Sequence, residues 1–463
     1  METTNLLQKN EIIEILIEKI VVGGEGIGYY NGLAVFVPMS VPGDKLKIKI
    51  ISTKKTYARG IIESIIIPSK DRINEISKVT FEDFQGCDFA MMKYSAQLKY
   101  KKIIVADAME KIGKIKDILI NDVIPSDNIY NYRNKIIEPF TKYNGKIISG
   151  FFKKKSHDIF EVEENILNSK IGNKIIKELK IILNREKLSV YDENIHSGTL
   201  RNVMIRTNSN DEAMVVLIIN NHKIDKIYNK ILLELKDKIN NIKSVYVSLN
   251  TDKTNVAMGK KNILIAGNKT IKENIEDIIF NISPLSFFQI NLEQAKKLYN
   301  KAISLFSDIR NKNIVDGYSG TGTIAMLLAK KAQKIYSIEI IKDAILDGMR
   351  AAKENNIQNI TFINGKVEEK LVELIENKEK IDGIIFDPPR KGIEANVLEA
   401  IAKYKIKEIV YISCDPATFA RDINILVSLG YKIDEVTPFD MFPNVSHVEC
   451  LGVLYFEEIN NYN

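Results

Sequence analysis

Apolar and polar positions change period along this chain, and the changes divide it. Between residues 11 and 67, short β-rich runs (11–20, 32–37, 45–52 and 57–67) are broken by the turn stretches VVGGEGIGYYNG and VPMSVPGD. Several short strands at this spacing predict a small all-β barrel. Residues 68–92 read as a connection. A helix is predicted over about 93–115, with Tyr94, Leu98, Ile103 and Ala106 on its apolar face. Strands and helices then mix from about 129 to 267, with apolar alternation in GTLRNVMIRTN, AMVVLIIN and SVYVSLN. From about Asn281 the pattern turns regular. An extended segment and an amphipathic helix are followed by strand–helix alternation up to EIVYISCDPATFARD, and two more strands close the chain. Such alternation predicts an α/β unit, a parallel sheet with helices on both faces. The expected division is a barrel over 1–68, a central α+β unit over 69–275, and the α/β unit over 276–463. The helix near 93–115 is in a position to pack on the last of these.

Composition narrows the class. The chain has 463 residues, room for two to four domains. No run is apolar enough for a transmembrane helix. The start METTNLLQKNEIIEILIEK lacks the basic-then-apolar order of a secretory signal, so a cytoplasmic protein is expected. Three cysteines, Cys87, Cys414 and Cys450, exclude a disulfide scaffold and an all-cysteine metal cage. The net charge of +6 favours polyanion binding only weakly. In the central region Arg133, Lys135, Lys153, Lys154, Lys155, Arg201 and Arg206 interleave with apolar residues. That pattern fits a sheet face that meets nucleic acid, and fits an ordinary solvated face equally well.

Three constellations carry chemistry. In NIVDGYSGTGTI a buried strand ending near Asp316 runs into a glycine-rich loop and a helix, and Gly320 and Gly322 let backbone approach a ligand. Glu339 ends the next strand, 23 residues beyond Asp316, where a carboxylate can accept from both hydroxyls of a ribose. The dinucleotide spacing GxGxxG is absent. Loop and acidic strand end together point to an adenosine cofactor without phosphates, S-adenosylmethionine. IIFDPPRKG sets Asp387 at a strand end before two prolines that fix the turn. Arg390 stands where enzymes that methylate exocyclic amines carry an aromatic. The third is Cys414, at the end of an apolar strand in YISCDPATFARD, with Glu449 in DMFPNVSHVEC. A lone cysteine is by default a packing residue. Its company changes that reading. Carbon 5 of a pyrimidine is not nucleophilic until a thiolate adds to carbon 6, and a base must later remove the carbon 5 proton. Cys414 and Glu449 are the pair such a reaction needs. Cys450 is a competing thiol in an apolar strand, and His447 is an alternative base.

Two resemblances sharpen the picture. The order GEGIGYYNGLAVFVPMSVPGDKLKIKI followed by YARGIIESII resembles a TRAM domain, an OB-like RNA-binding barrel; Tyr29, Tyr30, Tyr57, Lys54, Lys55 and Arg59 are its candidate RNA contacts. SFFQIN, DGYSGTGTI, DPPRKG, SCDPATFARD and DMFPNVSHVE, in this order, resemble the bacterial RNA uracil-5-methyltransferase family over nearly the whole chain. The resemblance implies a Rossmann-like S-adenosylmethionine methyltransferase fold, with Cys414 as nucleophile and Glu449 as general base. It also implies that Gln289, Tyr318, Gly320, Glu339 and Asp387 contact S-adenosylmethionine or the target uracil.

The departures are specific. Many members with a TRAM domain hold a 4Fe–4S cluster on four cysteines. Here only Cys87 remains, with Phe84 at the second position, Lys78 near the first and Asn165 at the fourth. One thiolate cannot hold the cluster, so none is expected, and packing by Phe84, Phe89 and Met91 is expected in its place. Ser319 replaces a cysteine before GTGT, and Asp415 replaces an asparagine after Cys414; a carboxylate there opposes thiolate formation. The expected substrate is 23S ribosomal RNA, because bacterial tRNA enzymes of the family usually lack TRAM; tRNA is the alternative. A monomer without membrane contact is expected. A DNA cytosine methyltransferase lacks support because its PCQ context is missing, and a non-catalytic RNA-binding or assembly factor is disfavoured by intact Cys414, Glu449 and DPPR.

Overall fold

Strict alternation shapes the first sheet. The computed structural model describes residues 7–73, 80–153, 156 and 158–457. Strands β1 (Ile12–Leu16), β2 (Lys19–Ile20), β3 (Gly26–Tyr30), β4 (Leu33–Val37), β5 (Lys45–Thr53) and β6 (Tyr57–Ile67) form one sheet in the order β1-β5-β6-β4-β3-β2. In β1 every second residue is buried, as a strand with one face on a core requires. GIGYY, expected as part of a turn, is instead strand β3. Its glycines serve proximity rather than bending, since a Cβ on Gly28 would stand 2.2 Å from the Leu16 carbonyl oxygen. Arg72 and Asp44 pair at 2.6 Å, fully buried, and tie the connection after β6 to this sheet.

Helix α1 (Tyr94–Lys111) forms as expected but shows a different face. It buries Ala96, Gln97, Tyr100, Lys101, Ile104, Val105, Ala108 and Met109, while Ile103 is exposed and Tyr94, Leu98 and Ala106 are half-buried. The expectation failed because two polar residues, Gln97 and Lys101, lie on the buried side.

The central sheet draws on β8 (Lys135–Tyr143), β9 (Lys146–Phe152), β10 (Ile159–Glu161), β11 (Leu200–Thr207), β12 (Ala213–Ile219), β13 (Ile242–Leu249) and β14 (Lys261–Gly267); β7 (Leu119–Ile120), earlier in the chain, joins a different sheet. Helices α2 (Lys170–Arg185) and α3 (Lys226–Lys238) cover one face over Val203, Val215, Leu217 and Val245. Ser169 caps α2 by accepting from the Gly172 amide at 3.2 Å. The other face, with Met204, Met214, Val216 and Ile218, packs against the hairpin β15 (Ile271–Ile275) and β16 (Ile278–Ile282). Both faces of β11 and β12 are thus occupied. This corrects the reading of an open basic face: Arg201 and Arg206 are buried, Arg201 donates to the carbonyls of Asn250 and Asp252 at 3.0 and 2.8 Å, and Arg206 donates to the Ser286 carbonyl. Buried guanidinium groups need partners, and backbone oxygens supply them. Lys154 and Lys155 lie outside the described residues.

The α/β unit follows the expected alternation. It comprises α4 (Leu292–Ser304), β17 (Asn313–Gly317), α5 (Thr323–Ala329), β18 (Lys334–Glu339), α6 (Lys342–Glu354), β19 (Ile360–Asn364), α7 (Val367–Glu376), β20 (Gly383–Phe386), α8 (Ala395–Lys403), β21 (Glu408–Ser413), α9 (Pro416–Ser428), β22 (Tyr431–Phe439) and β23 (Glu449–Phe456). The eight-stranded sheet runs β19-β18-β17-β20-β21-β23-β22-β7. Strands β17 to β21 are parallel, and β23 enters antiparallel between β21 and β22. Every residue of β20 and β21 is buried, and each fully buried Ile or Phe contributes about 1.5–3 kcal/mol. The order of connection reverses at β17, and in such sheets ligands bind outside the carboxyl ends of the strands at that point, here β17 and β20. Helix α1 packs on α9 in the same core, and β7 supplies an edge strand from ahead of the central sheet.

Candidate active site

Strand register assembles the first half of the site. Gly317 pairs with Ile338 of β18 and Phe386 of β20. One residue further along each strand, Glu339, Tyr318 and Asp387 make a row across the carboxyl edge. The chain then turns through left-handed backbone at Tyr318, Gly320 and Gly322 (φ +63°, +57° and +76°) into α5. The Gly320 amide donates to Glu339 Oε2 at 2.9 Å, and the Ile341 amide donates to Oε1 at 2.8 Å. Both carboxylate oxygens are therefore aimed by backbone, each with a lone pair left for a ligand hydroxyl. Ser319 bonds Ser337 at 2.7 Å and fills the position of the replaced cysteine.

The surroundings fit an adenosine-type cofactor. A Cβ on Gly320 would meet nothing within 4 Å, so the loop borders open space. Asp316 is buried, and no group closes a normal hydrogen bond on either oxygen, although the Ala325 amide gives weak support. Burial drives its pKa well above the usual carboxylate range. The Tyr318 hydroxyl is likewise buried without a hydrogen bond of normal geometry, and its ring stands 6.0 Å from that of Phe386. Unpartnered buried polar atoms at a sheet edge mark a place where a ligand completes the bonding.

The second half lies two strands away. Ser413 pairs with Cys450 across β21 and β23, so the next position on each strand sets Cys414 opposite Glu449. Facing residues of an antiparallel pair point to the same side. Cys414 is half-buried. Its thiol is pushed up to about 11, first by burial and then by the Glu449 carboxylate; Asp387 and Asp415 add to this and Arg390 opposes it. Glu449 is buried and pushed up to about 8 by burial and by Asp387, again opposed by Arg390. Burial raises Asp387 to about 7. Asp415 is the smallest of these influences on the Cys414 thiol, and its Oδ1 is engaged locally: it accepts from the amides of Ala417 and Thr418, both at 2.9 Å, and caps α9 with Pro416 in its first turn.

The remaining candidates divide clearly. Cys450 is fully buried in the apolar core, and burial holds its thiol far above the usual range. His447 lies at the surface, where Arg390 Nη2 donates to its Nε2 at 3.3 Å; partial burial of its ring and Arg390 hold its pKa below the usual value. Gln289 is held from the central region, since Asn134 Nδ2 donates to its carbonyl at 2.8 Å, and its side chain bonds the hydroxyl of Tyr299. Tyr299 is the residue the sequence did not disclose. Its hydroxyl is buried in the shared field of Asp387, Glu449 and Asp316, which together with burial raises its pKa. On an amphipathic helix such as α4 a tyrosine reads as core, and only the row of carboxylates beneath it says otherwise.

The residues near Cys87 do not fit a 4Fe–4S cluster. Cys87 is buried beside Ala90, Tyr132, Leu167 and Phe84, and burial pushes its thiol up to about 12. Asn165 is occupied locally, accepting from the Leu167 amide at 2.7 Å, and Gln85 bridges to the Glu164 carbonyl and the Ile166 amide. Phe89 and Met91 pack into the large core rather than around Cys87. Lys78 lies outside the described residues. Among the described residues no group of three metal-binding side chains occurs.

Among the surface aromatics of the first sheet, Tyr29 is exposed, Tyr30 packs on the core, and Tyr57 meets Phe36 edge-on at 5.6 Å; Arg59 is paired with Glu25 at 2.6 Å.

A doubly wound sheet with a glycine loop and an acidic second strand end defines the fold of an S-adenosylmethionine-dependent methyltransferase. Sequence profiles are more specific: tRNA (Uracil-5-)-methyltransferase matches residues 93–458, and the TRAM domain matches residues 7–62. The chain belongs to the tRNA (uracil-5-)-methyltransferase family and carries an N-terminal TRAM domain. It is 62% identical to an uncharacterized RNA methyltransferase of Fusobacterium nucleatum over 97% of each chain, and 38% identical to one of Clostridium tetani over 97% of each. Among solved structures it resembles the Pyrococcus abyssi tRNA (uracil-54, C5)-methyltransferase in complex with S-adenosyl-L-homocysteine. That match has a TM-score of 0.76 and 28% identity over 96% of this chain and 100% of that one. The protein is an S-adenosylmethionine-dependent RNA methyltransferase, and among the described residues no helix is long and apolar enough to cross a membrane.

Proposed function

We propose that this enzyme makes 5-methyluridine in 23S ribosomal RNA through a covalent cysteine–uracil adduct, acting in the cytoplasm as a monomer. The observation that carries the reading is Cys414 facing Glu449 across β21 and β23 at the rim of the cofactor crevice. Thiolate and base must address the two adjoining carbons of one ring, and a facing cross-strand pair supplies that spacing. Cys414 Sγ adds to carbon 6, and the ring electrons collect as an enolate with a nucleophilic carbon 5. S-adenosylmethionine supplies the electrophile, a methyl group on a sulfonium. Glu449 then takes the carbon 5 proton, the carbon 5–carbon 6 double bond returns, and Cys414 leaves as thiolate.

The electrostatics support this assignment. Asp316, Asp387 and Glu449 form a buried group of carboxylates, each raised by burial, and a sulfonium is the charge such a pocket lacks. A base near pH 8 is matched to proton transfer at neutral pH. Glu339, Tyr318 and Gly320 are assigned to the adenosine half, and Gln289 and Asp387 to the donor or the uracil. Residues 1–68 and 69–275 are assigned to holding RNA while the target base turns out of its stack into the pocket built by 276–463.

Incubation with S-adenosylmethionine and RNA containing 5-fluorouridine tests the mechanism. Fluorine at carbon 5 leaves Glu449 no proton to remove, so the adduct persists. A denaturation-resistant RNA–protein species that Cys414→Ala abolishes is expected; methylation surviving that substitution would sink the reading. Transfer RNA is the second reading, favoured by the likeness to the Pyrococcus abyssi tRNA enzyme over its whole length. Mapping 5-methyluridine in ribosomal and transfer RNA from a strain lacking this gene decides between them.

A further inference from the structure

The segment that delivers Glu449 is held from outside the α/β unit. Phe439, the last residue of β22, pairs with Glu449, the first of β23, so loop 440–448 closes directly over the base. At its root, Asp440 forms an ion pair with Lys101 of α1, both side chains fully buried. The same ammonium donates to the Phe442 carbonyl at 2.9 Å. One turn earlier on α1, Gln97 Oε1 accepts from the Asn444 amide at 2.8 Å and Nε2 donates to Asn444 Oδ1 at 3.0 Å. Asp88 accepts from the Ser446 amide at 2.8 Å and from its hydroxyl at 2.7 Å.

These contacts are an unusual use of a helix face. Lysine and aspartate fully buried together carry a desolvation penalty that an apolar pair of similar volume avoids, so the pair is weak evidence for stability. What an ammonium does that a methionine cannot is fix two points of one turn, a carboxylate and a carbonyl. Apart from Gln97, the other buried positions on α1 join the large core, in which α1 packs on α9, the helix that follows Cys414. One rigid helix therefore references both the nucleophile's helix and the base's loop.

We propose that Lys101 is a positioning residue for Glu449: through Asp440 and Phe442 it holds the base loop so that the carboxylate meets the carbon 5 proton after methyl transfer. The inference rests on the covalent reading above. A 1 Å displacement of a catalytic group lowers rate by up to ~100-fold, so in Lys101→Met turnover on ordinary uridine RNA falls ~10–100-fold. Because this step follows methyl transfer, KM falls along with turnover, kcat/KM stays near wild type, and methylated RNA accumulates attached to Cys414.

The experiment compares wild type, Lys101→Met and the apolar double variant Lys101→Met/Asp440→Leu in two reactions. Trapping by 5-fluorouridine RNA needs Cys414 but not the base, whereas turnover on ordinary RNA needs both. Expected are near-wild-type trapping rates, depressed turnover and an accumulating methylated adduct, with the double variant recovering thermal stability but not turnover. A double variant with wild-type turnover overturns the proposal, as does loss of trapping in step with turnover. If Lys101→Met does not fold, Asp88→Asn tests the other end of the same loop. It is expected to show the same split between trapping and turnover at smaller amplitude, and equal effects on both reactions overturn the proposal. Absence of trapping in the wild type would instead remove the covalent mechanism itself.

Discussion

After burial, the Glu449 carboxylate is the main influence that raises the pKa of Cys414, and Arg390 opposes the shift of both residues. Two negative charges on neighbouring residues resist coexistence, so an ionised Glu449 opposes the thiolate. Removing Glu449 therefore changes the thiol. In Glu449→Gln the thiol loses its largest charged opponent, and its pKa is expected to fall below 11 toward the ordinary value. Iodoacetamide alkylation of Cys414 at pH 8 is expected to be faster in this variant than in wild type, while methyl turnover drops by ~10²–10⁴-fold through loss of the base.

Activity has a predictable pH dependence. On the covalent reading Glu449 must be ionised to take the carbon 5 proton after methyl transfer, so release of the methylated adduct in a single turnover is expected to speed up with pH to about 8. Stability runs the other way. Glu449 holds its proton to a higher pH when folded than its ordinary 4.5, so the folded state binds more protons between those values and stability declines as pH rises through that window. Asp387 does the same between 3.8 and about 7. Denaturant unfolding at pH 5 and pH 8, with wild type and Glu449→Gln, measures the slope and its loss.

Asp415 was expected to weaken the nucleophile; its main engagement is with the helix. It is the smallest of the named influences on Cys414, and its carboxylate is committed to two backbone amides of α9. Asp415→Asn keeps an acceptor and is expected to leave both stability and thiol reactivity near wild type. Asp415→Ala removes the cap and costs about 1 kcal/mol, read by urea unfolding.

On the cofactor side, Glu339→Ala removes a carboxylate whose two oxygens are aimed by the Gly320 and Ile341 amides. Hydrogen bonds to a charged group contribute about 1.5–3 kcal/mol, so S-adenosylmethionine affinity measured by calorimetry is expected to fall ~10–100-fold. Trapping by fluorinated RNA at saturating cofactor is expected to survive.

Cys87 is a test of metal independence. Protein purified without reducing agent is expected to contain no stoichiometric iron, and chelators to leave its melting temperature unchanged. Cys87→Ala leaves a small cavity among Tyr132, Leu167 and Phe84 and costs roughly 1 kcal/mol, with no change in absorbance near 400 nm.

The sequence was most informative where one residue type has a local reason to be where it is. Strand-to-turn transitions at Asp387 and Cys414, and the glycine loop before α5, announce themselves through apolar runs, prolines and glycines. The α1 face did not, because Lys101 and Gln97 are buried by partners more than 300 residues away in sequence, and periodicity treats both as solvent-facing. Tyr299 was hidden for the same reason: its partners belong to three other strand ends. Arg201 and Arg206 mislead in the opposite sense, since basic character hides their donation to buried carbonyls.

The course of the backbone has a consequence for how the molecule is made. Helix α1 and strand β7 complete the α/β unit, yet a ribosome delivers them before the whole central sheet and the strands they pair with. Until α9 and β22 emerge, the apolar side of α1 and a buried-type lysine have no counterpart, so the nascent chain carries an exposed sticky helix through most of its synthesis. Expression of residues 276–463 alone leaves the converse defect, a sheet without its edge and a loop 440–448 without its partners on α1. Dissection by length is therefore a poor route to a minimal enzyme, whereas joining residues 88–125 to 271–463 keeps α1, β7 and the β15–β16 hairpin with their partners.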